Sequence, residues 1–233
     1  MDASRSTADL LRKCGLFAGL GDAAISALSD AVSRRRLQAG EILIWYDDIG
    51  DDVFVVVSGT LRVNIYAPDG RAVLFRDIGH GETIGELAAI DGKRRSASVE
   101  ARTESDVLVM SGRAFRDLVA REPGVALALL GRTIGLVREL SDRIFQLSSL
   151  GVSNRIHAEL LRLARATGAT AGRVVLSPAP RQSDIADRIA TNREAVSREI
   201  SQLTRLGILA RDGKELVVVD LGRLADLVSA ASG

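Results

Sequence analysis

The spacing of hydrophobic residues changes along the 233 residues, and this change limits the folds that the chain can adopt. Between Arg36 and Met110, short β-branched runs alternate with turn residues. From about Ala114 the apolar residues recur at helical spacing. Many short strands at close spacing indicate an antiparallel roll or sandwich. The sequence therefore predicts an α+β protein, with a jelly-roll-like antiparallel β-roll first and helices after it.

The strand-rich region contains six predicted strands and one short helix. Turn residues such as Asp47-Asp48, Ser58-Gly59 and Pro68-Asp69-Gly70 separate the strands. The short helical segment Ile84–Ile90 interrupts them, and a helical segment over 8–31, broken near Gly19 and Gly21, precedes them. The predicted strands are Glu41–Trp45, Val53–Val57, Leu61–Tyr66, Ala72–Phe75, Ala97–Glu100 and Asp106–Met110.

A long helix after Pro123 carries a heptad pattern. Leu130, Val137 and Ile144 lie seven residues apart, and a second set, offset by three, comprises Thr133, Leu140 and Leu147. Such a seam is typical of a helix that pairs with its twin in a parallel dimer. A helix packed on its own domain is the alternative. We expect a homodimer.

The last third of the chain has the pattern of a winged helix-turn-helix. Helices are predicted over 154–166, 183–190 and 193–206, with a strand over 173–176 and a hairpin formed by 208–210 and 215–219. On the 193–206 helix the polar residues share one face: Arg193, Glu194, Ser197, Arg198 and Ser201. Arginine can bond guanine, and glutamate can accept from cytosine. The alternative is a solvated face on which Glu194 and Arg198 pair with each other.

A second polar segment, GETIGELAAIDGKRRSASVEA, has the composition of a phosphate site. Backbone N–H groups at the start of a short helix suit a phosphate, and an arginine can neutralise it through a bidentate contact. Glu86, Arg95 and Ser96 supply an acceptor, a cation and a hydroxyl. The alternative is a turn in which Glu86 and Arg95 only pair with each other.

Composition excludes several other functions. Cys14 is the only cysteine, so one chain holds neither a disulfide nor a cysteine-ligated cluster. The two histidines, His80 and His157, lie too far apart for the metal site of a cupin enzyme, which would also be a small β-barrel. No catalytic set or long apolar segment stands out, so we expect a cytoplasmic protein that is not an enzyme, contains no metal and has no membrane partner.

The segment QSDIADRIATNREAVSREISQLTRLGIL resembles the helix-turn-helix of the cyclic AMP receptor protein family, the Crp-Fnr transcription regulators. The resemblance spans most of the chain, roughly Leu16 to Val219. It implies binding to a palindrome of TGTGA-like half-sites, with Arg193 and Arg198 on guanines and Glu194 on cytosine. RNA polymerase is a further candidate partner. The resemblance also suggests as DNA contacts Gln182, Ser183, Thr191, Asn192, Ser197 and Lys214.

The GETIGELAAIDGKRRSASVEA segment is similar to the family's phosphate-binding cassette for cyclic nucleotides. The resemblance assigns Glu86 to the ribose 2′-hydroxyl, Arg95 to the cyclic phosphate, and Ser96 to the phosphate or base. Cyclic AMP, cyclic GMP or both are the expected effectors. The other cassette or pocket positions that we expect to line the site are Val63, Ile84, Gly85, Leu87 and Ala97.

One position departs from the family pattern. Where cyclic AMP receptors have a threonine for the adenine amino group, followed by a serine donated by the partner subunit, this chain has Leu140 and Ser141. Leucine cannot accept that hydrogen bond, so the choice of base stays open. A regulatory subunit of an enzyme is an alternative, as is a DNA-binding regulator that senses haem, a gas or no ligand. The expected domains are the roll (1–112), the dimerisation helix (113–150) and the winged helix-turn-helix (151–233).

Overall fold

The computed structural model describes residues 2–66 and 72–230, with the side chains of residues 7–64, 76–145 and 150–230. The chain divides into two compact units, Met1–Leu136 and Val137–Gly233. The predicted turn Pro68-Asp69-Gly70 lies outside the described residues, and so does the side chain of Leu147. No helix in the described ranges is long and apolar enough to span a bilayer.

The first unit contains two four-stranded antiparallel sheets, preceded by α1 (Asp2–Arg12) and α2 (Asp22–Asp30). Apolar side chains from both sheets form one core, to which Leu37, Phe54, Val63 and Val99 belong. The strand orders are β1-β8-β3-β6 and β2-β7-β4-β5. The strands are β1 (Val32–Leu37), β2 (Ile42–Ile44), β3 (Val53–Ser58), β4 (Leu61–Tyr66), β5 (Ala72–Ile78), β6 (Thr83–Ile84), β7 (Ser98–Ala101) and β8 (Ser105–Met110).

All six predicted strands are present, and two further strands, β1 and β6, are not among the predictions. Strand β1 pairs along its whole length with β8, from Val32 opposite Met110 to Leu37 opposite Ser105. Its sequence VSRRRL has no apolar alternation, and its three arginines are exposed. Arg34 and Arg36 instead lie beside Asp106 on β8. The antiparallel roll is confirmed, and the two strands that the sequence did not indicate, β1 and β6, are the two edges of one sheet.

Three helices follow or interrupt the roll: α3 (Glu86–Asp91), α4 (Gly112–Arg121) and α5 (Pro123–Ser149). The Ser111 hydroxyl caps α4 by accepting a hydrogen bond from Ala114 N. Proline opens α5, where its missing N–H costs nothing. The confirmed long helix has 27 residues.

The apolar seam of α5 is largely exposed within the single chain. Leu130, Val137 and Ile144 are 55%, 55% and 65% exposed. Large apolar side chains repeated on one face of a helix and open to water indicate a surface that contacts something else. Thr133 and Leu140 are half-buried.

The second unit has the order of a winged helix-turn-helix. It comprises α6 (Val152–Arg165), β9 (Val174–Leu176), α7 (Gln182–Arg188), α8 (Arg193–Arg205), β10 (Leu209–Asp212), β11 (Glu215–Val218) and α9 (Leu221–Ala230). Its sheet has the order β10-β11-β9. Helix α9 was not predicted. Leu221 and Leu224 bury it in the core that α6 and α8 share.

We predict that Gly59 is irreplaceable in the short connection by which the chain passes from β3 in one sheet to β4 in the other. Its φ is +83°, and an added Cβ would lie 2.1 Å from Ser105 Oγ and 2.5 Å from the Glu104 carbonyl. The Gly59→Ala variant should lower the free energy of unfolding by on the order of 3 kcal/mol, since strain and overlap add. Trp45, the single tryptophan, reports the unfolding of this unit by fluorescence.

Gly40 is the matched control for this prediction. It has a similar φ of +88°, but nothing lies within 4 Å of its added Cβ. Gly40→Ala should therefore cost only about 1 kcal/mol, from backbone strain alone. Equal losses for the two variants would contradict the interpretation.

Candidate effector and DNA sites

The cassette residues converge on a cradle between α3 and the loop that follows β2. Gly85 directly precedes α3 as its N-cap residue, with a φ of +93°. A Cβ added there would lie 2.5 Å from the Asp52 carbonyl and 2.8 Å from Arg95 Nη1. Only glycine therefore leaves the Arg95 side chain its place against the Gly85 backbone.

Arg95 is only 7% exposed, and it is held from two sides. Its Nη1 donates to the Gly85 carbonyl at 3.2 Å, and its guanidinium lies 5.9 Å from the centroid of the Phe54 ring. Its backbone pairs with the preceding loop through Arg95 N to Asp48 O at 3.0 Å and Asp47 N to Arg95 O at 2.9 Å.

The electrostatic surroundings of Arg95 are acidic. Burial lowers the pKa of its guanidinium, and four nearby carboxylates oppose that effect. In decreasing order of effect, these are Asp52, Asp51, Asp48 and Glu86. The residue nevertheless stays a cation at neutral pH, as arginine does.

Glu86 is buried with one oxygen that lacks a partner. The residue is 7% exposed, and among the described residues no donor reaches Glu86 Oε2. Nor do Glu86 and Arg95 form an ion pair within the part of the chain that the structure describes. The alternative in which these two side chains only neutralise each other is therefore wrong.

The remaining predicted effector residues differ in position. Ile84 of β6 lies opposite Phe54 of β3. Leu87 is 40% exposed, whereas Val63 is buried in the core of the roll at 3% exposure. Ser96 is exposed and Ala97 half-buried. Leu140 and the exposed Ser141 lie on α5 in the second unit, and their contact with a base stays a prediction.

The recognition-helix residues lie as the sequence predicted. Arg193, Glu194 and Arg198 are exposed, whereas Val196, Ile200 and Leu203 are buried. Over the described ranges, Glu194 and Arg198 make no ion pair with each other. The tight turn before α8 contains Ala190 with a φ of +54°.

Asn192 has a structural task that the sequence analysis missed. Its Oδ1 accepts a hydrogen bond from Ala195 N at 2.8 Å and so caps α8. Its amide nitrogen and backbone still lie at the exposed end of the helix beside Thr191.

A cleft of about 480 Å³ lies between the start of α7, α8 and the wing formed by β10 and β11. Four of the predicted DNA contacts line it: Gln182, Ser183, Arg193 and Lys214. Arg181 and Arg211 also line it and are exposed, and the sequence analysis missed them. Arg181 directly precedes Gln182, a predicted DNA contact, and this neighbourhood was a sequence signal for Arg181.

Helix α8 is attached to α6 by a buried polar cluster. His157 Nε2 lies 2.7 Å from Glu199 Oε1, and Ser153 Oγ donates to Glu199 Oε2 at 2.7 Å. His157 and Glu199 are each 7% exposed. Glu199, which is out of place on the apolar face of α8, therefore orients the recognition helix against α6.

Known protein families and relatives match both parts of this chain. A model of the cyclic nucleotide-binding domain matches residues 34–122, and one of the Crp-like helix-turn-helix domain matches residues 154–227. The CRP-like cAMP-activated global transcriptional regulator of Mycobacterium tuberculosis is 27% identical over 218 residues, which span 93% of this chain and 97% of that protein.

Solved structures agree on the fold. FixK2 from Bradyrhizobium japonicum matches with a TM-score of 0.70 and 25% identity, covering 84% of this chain and 96% of its own. The c-di-GMP responsive global regulator CLP of Xanthomonas campestris has a TM-score of 0.72 and 21% identity, covering 85% and 99%.

A roll that matches the cyclic nucleotide-binding domain, followed by a long helix and a winged helix-turn-helix, defines a DNA-binding transcription regulator. The chain belongs to the Crp-Fnr family. This membership favours a transcription regulator over the cupin enzyme and over the regulatory subunit of an enzyme.

We predict that the His157–Glu199 pair is worth little in itself but costly to break. His157→Leu leaves a buried carboxylate with only Ser153 as donor, and should cost about 3 kcal/mol of unfolding free energy. The double variant His157→Leu/Glu199→Met should recover to within about 1 kcal/mol of wild type. Denaturant unfolding followed by far-ultraviolet circular dichroism measures both. Additive losses in the double variant would disprove the pairing.

Proposed function

We propose that this regulator binds a cyclic mononucleotide, cyclic AMP or cyclic GMP, in the cradle of Glu86 and Arg95, and that binding controls its affinity for DNA as a homodimer. The observation that carries this proposal is the buried Glu86 Oε2, which no donor of the described residues reaches, beside a buried arginine. A buried acceptor left unsatisfied costs about 1–3 kcal/mol. A ribose hydroxyl is a donor of the right kind.

The arginine has capacity to spare for a phosphate. Among the described residues its guanidinium makes one hydrogen bond, to the Gly85 carbonyl, out of five N–H donors. Charged acceptors make stronger bonds than carbonyls, so a phosphodiester oxygen would draw the guanidinium away from this contact. The exposed Ser96 follows Arg95 directly and offers a hydroxyl.

The charge around the cradle favours a singly charged ligand. One guanidinium faces Asp48, Asp51, Asp52 and Glu86, so a second negative charge would meet mostly repulsion. The Mycobacterium tuberculosis relative is described as cAMP-activated, whereas the Xanthomonas protein is described as c-di-GMP responsive. The cradle fits the mononucleotide better. A haem, a gas or no effector remains the alternative, and the absorbance spectrum of purified protein tests haem directly.

The exposed seam of α5 supports dimerisation. Leu130, Val137 and Ile144 repeat every seven residues and are more than half exposed, which suits pairing with a second α5. In such a dimer Leu140 contacts the base, and Ser141 contacts the nucleotide held by the other subunit.

The DNA target proposed is a palindrome of TGTGA-like half-sites. Arg193 and Arg198 would bond guanines, Glu194 would accept from cytosine, and two recognition helices would lie about 34 Å apart. The basic residues around the cleft, Arg181, Arg211 and Lys214, would contact phosphates. RNA polymerase remains a candidate partner.

We predict that Arg95→Gln weakens nucleotide binding by about thirtyfold or more, because a charge-assisted bond to the phosphate is lost. Calorimetry of the full chain with cyclic AMP and with cyclic GMP measures it. The neighbouring Arg94→Gln is the control, since Arg94 is exposed and its described contacts are with the carbonyl and the carboxylate of Asp47, outside the pair of Glu86 and Arg95. Equal affinity of Arg95→Gln and wild type would place the effector elsewhere.

We predict that Glu194→Ala reduces the preference for cytosine at one position of the half-site by about tenfold, since a base contact is worth about 1–3 kcal/mol. Lys214→Gln should instead weaken binding to all duplexes evenly and lower the salt slope by about 1. Anisotropy titrations with a palindrome and its single-base variants separate the two. An even loss of affinity for Glu194→Ala would contradict its role.

A further inference from the structure

The strand that leads into the cradle is held from behind by the long helix. Arg132 of α5 donates from Nη1 to the Thr83 hydroxyl at 2.6 Å and from Nη2 to the Thr83 carbonyl. Thr83 is fully buried and stands two residues before Gly85. A planar guanidinium with two bonds fixes the direction of approach as well as the distance. Helix α5 and strand β6 are therefore fixed to each other at this point.

The same short segment carries the acceptor that Arg95 uses. The Gly85 carbonyl accepts from Arg95 Nη1 at 3.2 Å and from Ala89 N at 3.3 Å. An anionic ligand that engages Arg95 competes with this carbonyl, because the charged acceptor makes the stronger bond. Ligand binding thus changes the contacts of a peptide group two residues from the carbonyl that Arg132 holds.

Hydrogen bonds hold the residues before Thr83 in place, so a shift of the Gly85 peptide group is not absorbed there. Gly81 N donates to Val56 O at 2.8 Å, and Val56 N donates to Glu82 O at 2.9 Å. The Glu82 carboxylate accepts from Arg76 Nη1 at 3.0 Å and from Gly79 N at 2.8 Å. The segment is thus fastened to β3 on one side and to Arg132 on the other. We therefore expect a displacement of Gly85 to move Thr83 as well.

Further along the same helix, α5 contacts the helix-turn-helix. Arg143 Nη2 donates to the Arg188 carbonyl at the end of α7 at 2.6 Å, and Glu139 pairs with Arg188 Nη2 at 3.3 Å. Burial and then the nearby Arg188 lower the pKa of the Arg143 guanidinium. Each contact of α5 therefore lies within one unit: Arg132 holds β6 in the first, and Arg143 holds the end of α7 in the second.

We propose that Arg132 is the positioning residue that transmits occupation of the cradle to α5. The inference rests on the proposed function, because it takes the cradle to be the effector site. Arg132 itself touches no effector. Its loss should leave nucleotide binding in place and remove the effect of binding on DNA.

The test measures coupling in the full chain. Anisotropy titrations measure the affinity for a fluorescent duplex with two TGTGA half-sites, with and without saturating cyclic AMP or cyclic GMP. The ratio of the affinity with nucleotide to the affinity without it is the nucleotide-dependent gain. Arg132→Gln should lower the gain about tenfold, within the 5- to 150-fold range typical of allosteric coupling. Calorimetry without DNA should give a nucleotide dissociation constant within about threefold of wild type.

Conservative variants separate positioning from general damage. Arg132→Lys and Thr83→Ser each keep a bond and should retain most of the gain, whereas Thr83→Val removes the hydroxyl and should lose part of it. The Arg132→Gln/Thr83→Val double variant should be no worse than Arg132→Gln, because both act on one contact. Arg138→Gln, an exposed arginine of the same helix, is the matched control and should leave the gain unchanged.

The outcomes distinguish the two hypotheses. A wild-type chain whose DNA affinity responds to neither nucleotide would overturn the proposed function, and this inference with it. If the DNA affinity of the wild-type chain responds to a nucleotide and Arg132→Gln shows the same gain, the inference about Arg132 is wrong and the proposed function stands. Should Arg132→Gln unfold, the gains of Thr83→Val and Thr83→Ser decide: equal gains contradict the transmission, and a lower gain for valine supports it.

Discussion

The structure depends on placing the positive charge of Arg95 where little water reaches it. Removing a cation from water is costly unless charged or polar groups replace its hydration. Here four carboxylates supply the compensating field, while the Gly85 carbonyl and the Phe54 ring supply close contacts. Much of the local architecture follows from this requirement, including the acidic loop after β2 and a glycine where any Cβ would overlap the Asp52 carbonyl.

An arginine held in this way can exchange its backbone carbonyl partner for a stronger, charged acceptor. Its one described hydrogen bond is to a backbone carbonyl, and the adjacent Glu86 has an oxygen in need of a donor. A cyclic phosphodiester with a ribose supplies both missing groups. In the second unit a comparable polar pair, His157 and Glu199, orients the recognition helix instead of binding a ligand. Under the proposed function, buried polar groups thus serve two purposes: they recognise a ligand in the roll and orient a helix in the DNA-binding unit.

The sequence predicted the elements whose residues carry a local pattern. The strands with β-branched runs, the long helix and the exposed face of α8 all lie where periodicity indicated, whereas the roles expected of the cassette residues came from the family resemblance. Strand β1 could not be found in this way, because it is an edge strand stabilised by its backbone ladder and by arginines opposite Asp106. Helix α9 was missed because its apolar face only becomes meaningful beside α6.

Contacts between distant polar residues were beyond local patterns altogether. Arg132 and Thr83 are 49 positions apart, and His157 and Glu199 are 42 apart. Neither pair has a spacing or composition that marks it, since each depends on how whole elements pack. Asn192 illustrates the same limit at short range, because its residue type suits a DNA contact and a helix cap equally.

The central claim is that Arg95 exchanges a backbone carbonyl for a phosphate. A crystal structure of the full chain grown with cyclic AMP or cyclic GMP tests it most directly. The account predicts a phosphate oxygen within hydrogen-bonding distance of the Arg95 guanidinium, a ribose hydroxyl on Glu86, and a longer distance from Nη1 to the Gly85 carbonyl. A nucleotide bound away from these side chains, with the contact between Arg95 and Gly85 intact, would contradict it.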